Sequence, residues 1–168
     1  MGHTRWLSDD EMRAWRAFTN AHALLYRRLD HGLKEEVGLS GLQYEILARL
    51  SGAPSREMRM AELAGDLVNS KSGLTYQVAQ LEKAGLVRRR SCTSDERAVF
   101  AGITDEGMAL LERAAPGHVT RVKELLIDVL TPDQLQALAD GLGEAGRRMA
   151  DGAGCSRPDR ATEAEPCE

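Results

Sequence analysis

The stretch NSKSGLTYQVAQLEKAGLVRRRSCTSDERAVFAGIT, residues 69–104, concentrates hydroxyl, amide and basic side chains, types able to hold phosphate or hydrogen-bond base edges. From Lys71 to Arg97 it holds six lysines and arginines against three acids, although the 168-residue chain carries a net charge of -4. Ser70, Lys71 and Ser72 open a helical pattern, and hydroxyls with a lysine at a helix N-terminus suit phosphate, through hydrogen bonds and the positive end of the dipole. Thr75, Tyr76, Gln77 and Gln80 fall on the outer face of that pattern, opposite Leu74, Val78 and Leu81. Glutamine can pair bidentately with an adenine edge, and Thr75 or Tyr76 could touch a thymine methyl. The bland alternative is a solvated polar helix face.

Arg88, Arg89 and Arg90 cannot all face one side of a strand, because side chains alternate; Arg88 and Arg90 share one face and Arg89 takes the other. Charge on an edge strand also deters edge-to-edge pairing. Cys92 lies beside these arginines, which would favour its thiolate and make oxidation a conceivable switch. Cys92, Cys155 and Cys167 form an odd set with no CxxC pair and no histidine at ligand spacing, so they read as reduced thiols with no structural metal or cofactor. There is no Gly-rich phosphate loop, G-x-S-x-G or HExxH motif, which argues against an enzyme.

The elements that would hold these residues can be read from spacing. Ser8 and Glu11 make a capping box, with Leu7 and Met12 as a hydrophobic staple. Behind them Met12, Trp15, Phe18, His22, Leu25, Leu29 and Leu33 form one long helical stripe that Gly38 interrupts. A second helix fits 40–51, with Leu42, Ile46, Leu47 and Leu50 inward, before a turn at 52–55. A short extended run at 58–60 precedes a helix over 61–67, a break at Val68 and Asn69, and a helix over 70–84 stopped by Gly85. Two short helices about a tight turn outline a helix-turn-helix. Strands over 86–90 and 98–103 about a polar turn add a β-hairpin wing.

From Thr104 a helical stripe returns, with a kink expected at Pro116 and Gly117. Thr131, Pro132 and Gln134 open a last helix with a second capping box, flanked by Leu130 and Leu135 as staple. The fold class is therefore mainly α with a small wing. Its expected divisions are an N-terminal dimerisation helix over 1–36, a winged helix-turn-helix over 37–103, C-terminal dimerisation helices over 104–150, and a disordered acidic tail over 151–168. The terminal stripes are longer than a small winged domain could cover, and a second copy about a two-fold axis would cover them. With no long apolar run and no apolar signal-peptide centre, a cytoplasmic location and no membrane association are expected.

NSKSGLTYQVAQLEKAGLVRR and SDERAVFAGITDEG, in this order and spacing, resemble the recognition helix and wing of MarR-type transcriptional regulators, and the resemblance runs over about residues 8–150. It implies a homodimeric winged-helix protein that binds pseudo-palindromic promoter DNA, often as a repressor, and often leaves it on binding a small aromatic or phenolic ligand. Carried onto this chain, it assigns DNA contact to Ser94 and Arg97 in the wing, with Asp95 pairing with Arg97 to stiffen it. Between them relatives often carry an arginine that enters the minor groove; here Glu96 stands there, leaving Arg97 or Arg90 to enter the groove, or the wing to touch only the backbone. Tyr76 and Gln80 also stand where relatives commonly have arginine, so a modest salt slope is expected. Trp15, Phe18, His22, Tyr26 and Tyr44 are either core residues or the lining of a ligand pocket. The competing classes are a winged-helix protein-binding adaptor and a redox-responsive regulator acting through Cys92.

Overall fold

The computed structural model describes residues 4–67, 71–91 and 98–152. The break at Val68 and Asn69, the positions Ser70, Cys92, Ser94, Asp95, Glu96 and Arg97, the side chain of Lys71 and the tail beyond 152 lie outside the described residues.

Helix α1 spans Asp9–Val37. Its capping box forms as the spacing predicts: the Glu11 backbone N–H donates to Ser8 Oγ at 3.3 Å, and the Ser8 N–H donates to Glu11 Oε2 at 2.8 Å. Gly38 ends it at φ 74°, the left-handed conformation that glycine adopts without a Cβ penalty. Helix α2 spans Gly41–Gly52 and opens on a capping box of Ser40 and Gln43. Asp30 of α1 fixes the join, accepting from the Gly41 N–H at 2.8 Å while held by Lys34 at 2.7 Å.

After a 3-10 turn at Pro54–Arg56, strand β1 (Glu57–Arg59), helix α3 (Met60–Asp66), helix α4 (Lys71–Lys83), and strands β2 (Val87–Ser91) and β3 (Val99–Ile103) follow. The expected hairpin of β2 and β3 forms, and β1 extends it to a three-stranded antiparallel sheet in the order β1-β3-β2. The extended run near residue 58 pairs with β3, Met58 opposite Ala101, and gives the hairpin a third strand.

One core joins α2, α3 and α4 to the sheet. Ile46, Leu47 and Leu50 from α2 meet Leu63 from α3, Leu74, Val78 and Leu81 from α4, and Val87, Ala101 and Ile103 from the sheet. Each apolar set lies on one face of its element, so burial, which contributes roughly 1.5–3 kcal/mol for a side chain of this size, fixes how α4 rotates about its axis. Leu42, expected inside, is only partly buried at the margin.

Helix α5 spans Asp105–Val122 and is assigned continuously through Pro116. The departure from α geometry comes at the π-helical turn Lys123–Ile127 and not at Pro116, where the kink is expected. Helix α6 (Pro132–Gly152) starts on the expected box, with the Thr131 N–H donating to Gln134 Oε1 at 2.9 Å. α1 packs along α5, whereas among the described residues α6 has no extensive packing partner. Trp15, Phe18, Leu125, Val129, Leu142 and Met149 are exposed, Val129 at 67% and Met149 at 68%. Among the described residues no helix is long and apolar enough to cross a membrane.

Candidate nucleic-acid interface

Leu74, Val78 and Leu81 are buried, and that orientation turns Ser72, Thr75, Tyr76 and Gln80 outward, with Gln77 at the margin. Tyr76 is 62% exposed. Four of the outer-face residues named from spacing therefore share one solvent-facing surface of α4. Ser72 and Thr75 each also have an interaction within the chain.

The exit of α4 is fixed by backbone bonds. Gly85 is left-handed, φ 74°, and the Leu86 N–H donates to the Leu81 carbonyl at 2.9 Å, so the chain reverses directly into β2. Thr104, one residue past β3, ties this exit to α5: its hydroxyl donates to the Gly85 carbonyl at 2.7 Å and accepts from the Gly107 N–H at 3.0 Å. Gly107 is packed so closely there that a Cβ would stand 2.1 Å from the Leu86 carbonyl oxygen.

The arginine alternation is as the strand pattern requires. Arg89 turns to α4, where its Nε donates to Glu82 Oε2 at 2.8 Å and its backbone N–H to Glu82 Oε1 at 3.1 Å. That bonding holds the Glu82 carboxyl below its ordinary range. Arg88 and Arg90 share the opposite, outer face, and both are engaged by one carboxylate. Arg88 Nη2 donates to Glu57 Oε1 at 3.1 Å, and Arg90 Nε to Glu57 Oε2 at 2.9 Å. Arg90 also lies 4.6 Å from the Phe100 ring centroid, with Arg59 at 5.4 Å from the same ring. Burial would push the Glu57 carboxyl up, but the hydrogen bonds from Arg90 and Arg88 outweigh it and hold it low and charged. Sequence reasoning missed Glu57, because the bonds span 31 and 33 residues and only the added strand β1 brings the groups together.

The aromatic residues divide into two sets. Trp15, Phe18, His22 and Tyr26 form a ladder along α1, ring centroids 6.3, 6.1 and 6.4 Å apart in succession. Tyr44 is not part of it; it packs on His118 of α5 at 4.3 Å. The His118 Nδ1 is buried without a hydrogen-bond partner among the described residues, and burial followed by the nearby Arg121 charge lowers the pKa of the ring. Beside this pair, the Arg121 guanidinium lies over Gly32 of α1 and pairs with Glu36. Among the described residues no group of histidine, cysteine and carboxylate side chains could hold a metal ion.

The sequence profile of the MarR family matches residues 39–99. Among solved structures, the chain is similar to AbsC of Streptomyces coelicolor, a MarR family transcriptional regulator: identity is 38%, TM-score 0.82, and the match covers 88% of this chain and 99% of that one. It is similar also to Sco3205 of the same organism, a MarR family transcriptional regulator solved in complex with DNA, at 41% identity and TM-score 0.81, covering 95% of this chain and 96% of that one. The transcriptional regulator PecS of Dickeya dadantii is 36% identical over 90 residues, a match that spans 52% of this chain and 54% of PecS.

Proposed function

The chain belongs to the MarR family of transcriptional regulators, not to a family of enzymes, and we propose that it acts in the cytoplasm as a homodimeric repressor. On this reading each subunit presents α4 to a major groove of a pseudo-palindromic promoter site, and a small aromatic or phenolic ligand releases the complex. The observation that carries it is the division of α4 into an apolar face locked in the core and an exposed face of Ser72, Thr75, Tyr76 and Gln80, followed directly by an arginine-bearing strand. Hydroxyl, phenol and amide groups on such a face can read base edges, and arginine can hold phosphate. The DNA-bound relative supports the same reading.

Ser70, Lys71, Gln77, Arg88, Arg90, Ser94, Asp95 and Arg97 complete the proposed contact set. The proposed divisions are dimerisation helices over 1–36 and 104–150 flanking a DNA-binding unit over 37–103. Exposed Trp15 and Phe18 on α1 and exposed Leu142 and Met149 on α6 supply the apolar surface that a second copy would cover. Tyr44 of α2 packed on His118 of α5 offers a planar ligand an aromatic surface where the DNA-binding unit meets the dimerisation helices.

Fluorescence anisotropy with a labelled duplex of mixed sequence tests the reading. Saturable binding that weakens as salt rises is expected. Tyr76→Glu, which places a carboxylate among phosphates, should abolish it while leaving the fold intact. Absence of binding by the unaltered protein at low salt would overturn the reading and favour a protein-binding adaptor.

A further inference from the structure

The outer face of the wing sheet is laid out in two rows. Across one run Glu57 of β1, Gly102 of β3 and Arg88 of β2; across the next run Arg59, Phe100 and Arg90. Gly102 sits in the central strand, and a Cβ on it would come within 2.8 Å of Glu57 Cγ. Its missing side chain is what lets the Glu57 carboxylate lie across β3 and reach both arginines of β2. Glu57 is only 12% exposed, while Arg88 and Arg90 remain open to solvent at 64% and 42%.

We propose that Glu57 is a positioning residue that latches Arg88 and Arg90 flat on the wing sheet, so that the pair offers one net positive charge to the DNA backbone instead of two. The inference rests on the DNA-binding reading and adds a specificity device to it. A wing with both arginines free would attract any phosphate backbone. Cancelling one charge lowers that sequence-independent share of the affinity and leaves α4 a larger share of the discrimination. Arg90 is the more constrained of the two, held by Glu57 on one side and by the Phe100 ring on the other, so it can reach a groove only by leaving both.

The test is the salt dependence of binding to a mixed-sequence duplex for the unaltered protein, Glu57→Gln, Arg88→Gln with Arg90→Gln, and the triple variant. Glu112→Gln serves as a control that makes the same charge change on an exposed residue of α5. Glu57→Gln should bind more tightly and steepen the log-log slope by about 0.9 per subunit. For a dimer its advantage should then shrink roughly tenfold between about 50 and about 200 mM salt. Glu112→Gln should leave the slope unchanged, and Glu57→Gln should steepen the slope less when both arginines are already glutamine, because the guanidinium charges it would free are then gone. If the unaltered protein binds but Glu57→Gln leaves the slope unchanged or weakens binding, the latch is wrong and the DNA-binding reading stands. If neither binds at low salt, both fall.

Discussion

The Thr104 hydroxyl, at the start of α5, donates to the carbonyl of Gly85, at the end of α4, at 2.7 Å. The same oxygen accepts from the Gly107 N–H and so caps α5. One side chain thus joins the turn that follows α4 to the first turn of a helix that packs along α1.

Replacing Thr104 by valine keeps the shape and removes both bonds. Loss of about 1–2 kcal/mol of stability is expected, as for other lost N-caps. Thr104→Ser should retain most of it. Urea unfolding of the two variants checks the difference; equal midpoints would show that the hydroxyl contributes nothing.

Gly107→Ala addresses the same joint from the packing side. The added carbon would meet the Leu86 carbonyl oxygen at 2.1 Å and Ile103 Cγ1 at 2.9 Å, and backbone cannot swing aside as a long side chain can. A cost of roughly 1–3 kcal/mol is expected from overpacking, read as a lower denaturation midpoint with an unchanged slope.

These joints show where the sequence was legible. Local rules located the helix starts at Ser8 and Thr131, because a capping box is written within four residues, and the stop at Gly85, because only glycine takes φ 74° without cost. Strand alternation separated Arg89 from Arg88 and Arg90 before any contact was visible. The Ser40 and Gln43 box obeyed the same rule and could have been read. What local rules could not reach was β1: three residues show no usable periodicity, and their pairing with β3 is decided by closure of the core 40-odd residues later. Glu57 was hidden with it. The π turn at Lys123–Ile127 likewise has no side-chain signature as plain as the proline that drew attention to Pro116.

His118 gives a pH dependence. Its folded pKa lies below its ordinary value of 6.5, because burial and then Arg121 disfavour the charged ring. The unfolded chain therefore takes up the proton first as pH falls. Stability from this residue is complete above about 6.5 and is lost as pH drops from there toward the folded pKa. His118→Phe keeps a ring against Tyr44 and removes the titration, so its melting temperature should fall less than the unaltered protein's between about pH 7.5 and about pH 5.5. Parallel falls would contradict the assignment.

The apolar residues left open on the π turn, on the link after it and on α6 predict the assembly. Val129→Glu and Leu142→Glu together place carboxylates where a second copy would exclude water, and an unpaired charge there is costly. Light scattering should give a dimer for the unaltered protein and a monomer for the variant, with helical content retained. A dimer in both would move the interface elsewhere.

The most direct measurement is selection of bound duplexes from a random pool, with the unaltered protein and with Gln80→Ala. The account predicts a two-fold-related consensus whose half-sites lie about one helical turn apart, with the same position in each half losing definition in the variant. A consensus without two-fold symmetry, or no enrichment at low salt, would contradict it.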